Sequence, residues 1–463
     1  MARGDITPPV GIYHRMWGAA VHDRATSVHR RLLATALWIA NKQGEAARLI
    51  VALDHCLFDD AEFILLRRAA AQAIAIESEQ VHICLSHTHG AGLMSRSREN
   101  LPGGEMIGPY LDRLAQQVAE LAAIAKHSAA PATMVYGTGR CSLAAHRDYF
   151  DVERRQFVCG FNPDGPADDT LLVARITRDE DDRALATLVN YACHPTTLAW
   201  DNTAISPDWI GAMREVVEGA TQAPCLFLQG ASGDLGPREG FVGEHAVADR
   251  NGRQVGYAAL AALEGLPPPG KEYRYAGAVL SGAWIGTWQY QPMDEGEEST
   301  HAVWQWRRVV VELPYRADLP TLEETRVALA QHQAEEEAAR AAGDADRARA
   351  ARASIEQMTR QIGRLEQLPP GDAYPLAITV GRLGDALCVF SPGELYQVFQ
   401  TSLRARFAPR PVIVTTISDG WLPGYLPAAA SYGQGIYQDI ISPLAPGCLE
   451  RLLEATAREL AML

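Results

Sequence analysis

Short apolar runs that stop at a polar turn recur along this chain, and three of them stop at a residue able to hold a metal. Val81–Leu85 is followed by Ser86-His87-Thr88-His89-Gly90. Residues 188–193 end in His194-Pro195, and Ala386–Phe390 leads through Ser391-Pro392-Gly393 to Glu394. Apolar runs of this length bounded by Gly and Pro predict buried strands. Further strands are predicted at 32–40, 49–53, Cys225–Gln229 and 412–417, with the turn Asn41-Lys42-Gln43-Gly44 between the first two. Apolar positions three and four apart predict helices over 61–78, Ile107–His127, 206–219, 395–404 and 448–463.

Two stretches depart from this rhythm. Residues 272–315 place Trp284, Trp288, Trp304 and Trp306 in strand-like alternation, which reads as sheet packing or as the lining of an apolar channel. Residues 319–368 shift to Ala, Glu, Arg and Gln with a turn at Gly343-Asp344, predicting an antiparallel helical hairpin with a solvated charged face. Strands interleaved with helices give an α/β class: a mixed β-sheet core flanked by helices, with this hairpin inserted. Because the motifs at positions 87, 194, 394 and 432 must converge to form one site, residues 1–463 are read as one catalytic domain.

Charge narrows the partners. The net charge is −14 with no long basic cluster, which excludes nucleic acid and an anionic membrane surface as expected partners. No window approaches the roughly 20 apolar residues of a transmembrane segment, and the first residues lack an apolar leader, so a cytoplasmic location is expected. The eight cysteines form no CxxC pair, and those at 56, 84, 193, 225 and 388 lie in apolar runs, as reduced structural residues do. Oligomeric state stays open, a homo-oligomer included.

The pair His87 and His89 gains meaning from strand geometry, because period-2 alternation would aim both imidazoles the same way. Such a pair is either a metal site or a hydrogen-bonding cap at the end of a strand. Asp54 is a turn cap or a supporter of a metal ligand, and Asp208 reads as a helix N-cap. Arg147 either meets an oxyanion or a substrate carboxylate, or pairs with Asp148 at the surface. Asp234 orients a ligand or caps the turn after it. The glycine-rich segment 230–239 can aim backbone N–H groups at an anion, and Arg238 adds a positive charge or pairs with Glu239.

Ser86-His87-Thr88-His89-Gly90, Tyr191-Ala192-Cys193-His194-Pro195-Thr196, Pro392-Gly393-Glu394 and the stretch from Gly424-Tyr425-Leu426-Pro427 to Tyr432 resemble, in that order, the motifs of the neutral (non-lysosomal) ceramidase catalytic domain. Gly4-Asp5-Ile6-Thr7-Pro8 and Val28-His29-Arg30-Arg31-Leu32 are similar to its opening strands. The resemblance implies a Zn²⁺ site built from His87, His194, Glu394 and Tyr432, with Tyr425 the weaker match for the tyrosine. It implies His89 as general acid/base, Arg147 and Tyr432 as oxyanion stabilisers, and Asp234 in support. Where that family has a catalytic Ser this chain has Gly236, and where it has Asn this chain has Arg238. No immunoglobulin-like C-terminal domain is expected. The implied activity is hydrolysis of an amide or related acyl bond in a small-molecule or lipid-like N-acyl substrate other than ceramide. Two alternatives stand beside it: an amidohydrolase-like barrel using both histidines of HxH as ligands, and a non-catalytic binding protein on a ceramidase-like scaffold.

Overall fold

In a computed structural model that describes residues 1–463, the chain is a mixed α/β protein that repeats one plan three times. Three strands pair antiparallel, a helix crosses over, a fourth strand returns parallel to the third, and a long helix follows. The first unit runs Ala2–Asp5, Leu33–Ala40, Ala47–Leu53, helix Asp60–Ile74, Val81–Leu85 and helix Ile107–His127. In the second, Ala132–Arg140, Thr170–Arg178 and Ala184–Tyr191 lead to helix Trp209–Thr221, strand Cys225–Gln229 and helix His245–Glu264. The third has Trp304–Pro314, Ala373–Leu383, Ala386–Phe390, helix Gln397–Phe407, Val412–Thr415 and helix Cys448–Leu460.

Alternation along the strands explains how the units join. In Ala386–Phe390, Leu387 and Val389 pack under the helices of their own unit, whereas Ala386, Cys388 and Phe390 face the opposite way. The corresponding faces of the other two sheets supply Leu37, Ile50 and Cys84, and Leu172, Leu188 and Leu226. The three sheets therefore enclose one central core, and each carries a further core on its helix side. Burial of both faces is why these strands read as continuous apolar runs.

This plan decides where function sits. The first, third and fourth strands of a unit all end at the same edge of their sheet. Every first-to-second connection, third-strand exit and fourth-strand exit therefore gathers at one end of the molecule. The first-to-second connections are long: residues 6–32, residues 141–169, and residues 315–372, which hold the helices Leu322–Ala341 and Ala345–Gln367. Loops at that end are laced together by backbone hydrogen bonds, among them Gly233 N–H to Leu395 O (2.8 Å), Glu394 N–H to Gly424 O (2.8 Å) and Ser206 N–H to Gly90 O (2.9 Å).

Several expectations are corrected. The helix expected over 61–78 is Asp60–Ile74, closed by Ala75 in the left-handed conformation. The helix expected from 395 begins at Gln397, because Asp234 reaches across to accept its first N–H. Trp284 and Trp288 neither line a channel nor pack in a sheet interior; they stand 73% and 50% exposed on the two-stranded ribbon Lys271–Ser281/Ala283–Pro292. Trp306 packs near His82 and Phe390 instead. The hairpin is not charged only toward solvent: Arg98 donates twice to Glu356 (2.9 and 3.1 Å), and Arg364 is 7% exposed. No helix is long and apolar enough to cross a membrane.

Candidate metal centre

Three atoms converge at the gathered strand ends, one from each unit. His87 Nε2 and His194 Nε2 are 3.1 Å apart, and Glu394 Oε2 lies 3.2 Å from the first and 3.1 Å from the second. All three residues are buried. His87 leaves the strand at Leu85 and adopts φ +67°, so period-2 alternation no longer applies to it and does not set the two imidazoles of HxH parallel. The His87 and His89 rings stand edge to face at 81° with centroids 4.9 Å apart.

Hydrogen bonding fixes the tautomers. His87 Nδ1 lies 3.0 Å from Cys56 O, and His194 Nδ1 lies 2.7 Å from Ser232 O and 3.1 Å from Leu235 O. A carbonyl oxygen only accepts, so both Nδ1 atoms carry the proton and both Nε2 atoms of the neutral rings present lone pairs. Two imidazole lone pairs and a carboxylate oxygen then point into one small space, a repulsive arrangement without a cation. The edge of a tetrahedron with bonds of about 2.05 Å is about 3.3 Å, close to the observed separations. The donors fit a divalent ion of the zinc type, held by backbone carbonyls behind the imidazoles.

Electrostatics agree with that geometry. Burial, helped by Arg147, pushes His194 down to about 3, so its ring stays neutral. Burial works to raise Glu394, yet facing His87 and His194 holds its carboxyl well below the usual range. Burial also disfavours charge on His87, but Cys56 and Glu394 raise it well above the ordinary value: in the absence of a metal, a proton there balances the cluster.

A second convergence involves Cys56, His87 and His89. Cys56 occupies, after the third strand of its unit, the place that His194 occupies in the second unit, and its Sγ lies 3.6 Å from His87 Nδ1. That nitrogen already donates to Cys56 O, which leaves His89 outside the three-atom cluster. His89 stacks on Trp17 at 5.0 Å, and Phe241 and Trp200 stand against Trp17 edge-on. Both His89 ring nitrogens are buried without a hydrogen-bond partner. Trp17, unnoticed in sequence because residues 6–32 carry no periodicity, arrives on the first of the long connections.

The second long connection brings Arg147. It is 3% exposed, stacks over Tyr425 at 5.2 Å and donates to Gly233 O (2.6 Å), so the surface pairing with Asp148 is not made. Tyr425 places its hydroxyl 3.4 Å from His194 Nε2, whereas Tyr432 points to Ser442 Oγ at 3.4 Å and does not meet the three atoms. The better sequence match thus lies too far along the loop, past the turn that begins at Ala429. Burial, with Glu394 and Tyr437 nearby, holds the Tyr425 phenol well above its ordinary value, against Arg147, so it keeps its proton.

The remaining expected residues are placed as follows. Asp234 accepts from Gln397 N (2.7 Å) and Gln397 Nε2 (2.9 Å), anchoring the helix that starts three residues after Glu394. Asp54 pairs with Arg214 and accepts from Leu33 N, away from the cluster. Asp208 accepts from Trp209 N (2.7 Å) as a cap. Gly236 lies buried, with space for a side chain whose nearest neighbour would be Thr196 Oγ1 at 3.8 Å. Arg238 is exposed over Phe161, and Glu239 pairs with Arg250 rather than with it.

No family profile and no curated protein matches this sequence. Solved structures do match in shape. The neutral ceramidase from Pseudomonas aeruginosa superposes with a TM-score of 0.65 at 15% identity, over 98% of this chain and 72% of that one. A ceramidase complexed with C2 superposes with a TM-score of 0.66 at 14% identity, over 100% and 74% of the two chains. At this identity the relation is one of fold, and the chain has the fold of the neutral ceramidase structures along essentially its whole length.

Proposed function

We propose that this protein is a zinc-dependent hydrolase of an amide (N-acyl) or related acyl bond in a small molecule, with His87, His194 and Glu394 holding the metal. The observation that carries the reading is the convergence of three lone-pair atoms within 3.1–3.2 Å in a buried site. A zinc ion so held would lower the pKa of a bound water to about 7 and polarise a carbonyl.

The chain's own residues complete the chemistry. Burial and the neighbouring imidazoles hold His89 well below its ordinary value, so it is neutral and able to accept a proton at a ring nitrogen. Trp17 fixes its plane and excludes water. It serves as general acid/base, a role worth about 10²–10⁴-fold. Arg147 and protonated Tyr425 are the donors for a developing oxyanion. Asp234 keeps Glu394 in place through Gln397. No step requires a serine at position 236.

The second convergence favours a rival reading in which Cys56, His87 and His89 bind the ion. Elemental analysis of purified protein separates the two. About one zinc per chain, lost in His194→Ala and retained with loss of turnover in His89→Ala, supports the proposal. Zinc retained in His194→Ala and lost in His89→Ala supports the rival. No zinc in wild type after supplementation would leave a binding protein on this scaffold.

A further inference from the structure

The third long connection delivers the helix Ala345–Gln367 over the same end of the molecule. Glu356, Arg360 and Arg364 recur every fourth residue and so share one face of that helix, which is turned inward. Glu356 pairs with Arg98 and Arg360, and Arg360 also donates to Met16 O, next to the Trp17 that stacks on His89. Gly18 packs so tightly beneath that an added Cβ would lie 3.2 Å from Ala353. The helix is thus a fixed roof on the site.

Arg364, one turn further along, is different. It is 93% buried, since only 7% of it is exposed, and no carboxylate lies within 4.0 Å of it. Its one hydrogen bond goes to the neutral amide of Gln361 on its own helix, and its Nε is buried with no partner. Arg147, stacked over Tyr425, likewise has a buried Nε without a partner and no carboxylate at salt-bridge distance, and its oxyanion role accounts for it. Arg364 lies one turn along the same inward face from Arg360, whose guanidinium reaches Met16 O beside Trp17, and Tyr437, Arg360, Glu394 and Tyr425 are near enough to influence it electrostatically. A buried guanidinium without a counter-ion is costly, so Arg364 beside this site in a chain of net charge −14 requires an explanation. A ligand that brings its own negative charge provides one.

We propose that Arg364 forms an anion subsite beside the metal centre, and that the substrate is an N-acyl compound bearing a carboxylate. The proposal rests on the hydrolase reading for what is cleaved, but not for what is bound. A bidentate guanidinium–carboxylate contact would orient the substrate, and the neutral headgroup of a ceramide would leave Arg364 unpaired. This identifies the roof helix as the specificity element of the site.

The test is calorimetric binding of two probes that differ only in charge, N-hexanoylglycine and N-hexanoylglycinamide, to zinc-supplied wild type, Arg364→Met and Arg364→Lys. Wild type is expected to prefer the acid by about 10- to 100-fold. Arg364→Met should bind both probes alike, at the affinity wild type shows for the amide, and Arg364→Lys should keep part of the preference. Unfolding temperatures confirm that the variants are folded; should Arg364→Met fail to fold, loss of the wild-type preference at high salt and its partial retention in Arg364→Lys serve instead. Equal binding of acid and amide, binding of neither, or a preference that survives Arg364→Met overturns the subsite. Zinc content measured on the same samples reports separately on the hydrolase reading.

Discussion

His87 Nε2 and His194 Nε2 face each other at 3.1 Å while each ring spends its own proton on a backbone carbonyl behind it. Such a pair needs a positive charge between or beside its nitrogens, supplied by a bound metal or, without one, by a proton on His87. Removing the metal is therefore expected to destabilise the fold, not merely inactivate it. Binding at a thousand times Kd is worth about 4 kcal/mol, so treatment with a chelator should lower the unfolding temperature by several degrees. His194→Ala should show a much smaller chelator effect. An unfolding temperature indifferent to chelator in wild type would count against a resident ion.

The tyrosine that matters is expected to be Tyr425. Its hydroxyl lies 3.4 Å from His194 Nε2 and its ring carries Arg147, whereas Tyr432 contacts Ser442. Loss of one oxyanion donor typically costs about 10²–10³ in kcat. Tyr425→Phe should fall in that range with zinc retained, and Tyr432→Phe should stay within a few-fold of wild type. The reverse ranking in steady-state kinetics would refute the assignment.

Asp234 and Gly233 are expected to act through the position of Glu394. Asp234 holds the N–H and side chain of Gln397, and an added Cβ at Gly233 would sit 2.7 Å from Glu394 O. Asp234→Ala should weaken zinc binding about 10- to 100-fold, read by competition with a chromophoric chelator. Gly233→Ala should destabilise the fold itself, since the obstructing atoms are backbone and cannot swing away. Metal affinity unchanged in Asp234→Ala would show that the Gln397 contact is dispensable.

Stability should decline in acid through His14. Its ring is buried against Gly90 O, and burial, with His22 nearby, pushes it down to about 4. Above pH 6.5 the ring is neutral in both folded and unfolded chains and contributes no slope. Below that the unfolded chain takes up the proton first, so stability falls until about pH 4, by on the order of 3 kcal/mol. His14→Gln, which keeps a donor for Gly90 O, should flatten part of the slope in denaturant titrations at pH 7, 5.5 and 4.5. An identical slope in the variant would exclude His14 as its source.

The sequence by itself determined the local elements and the strand-end positions of the candidate ligands. Helix Ile107–His127 and the strands at Val81–Leu85 and Ala386–Phe390 follow from the spacing and length of apolar runs, which are short-range properties. His87, His194 and Glu394 were legible because each stands where such a run stops. Tertiary structure decided what those ends meet. The threefold repeat of the sheet plan is invisible in sequence, because burial on both faces requires only apolar residues, in any order, and leaves no shared motif. Position along the loop could not choose Tyr425 over Tyr432, since the contact with His194 comes from another unit. Asp234 and Trp17 gain their partners from segments far away in the chain. A charged helix face reads the same in sequence whether it meets water or roofs a site; only packing against the loop at Met16–Gly18 turned this one inward.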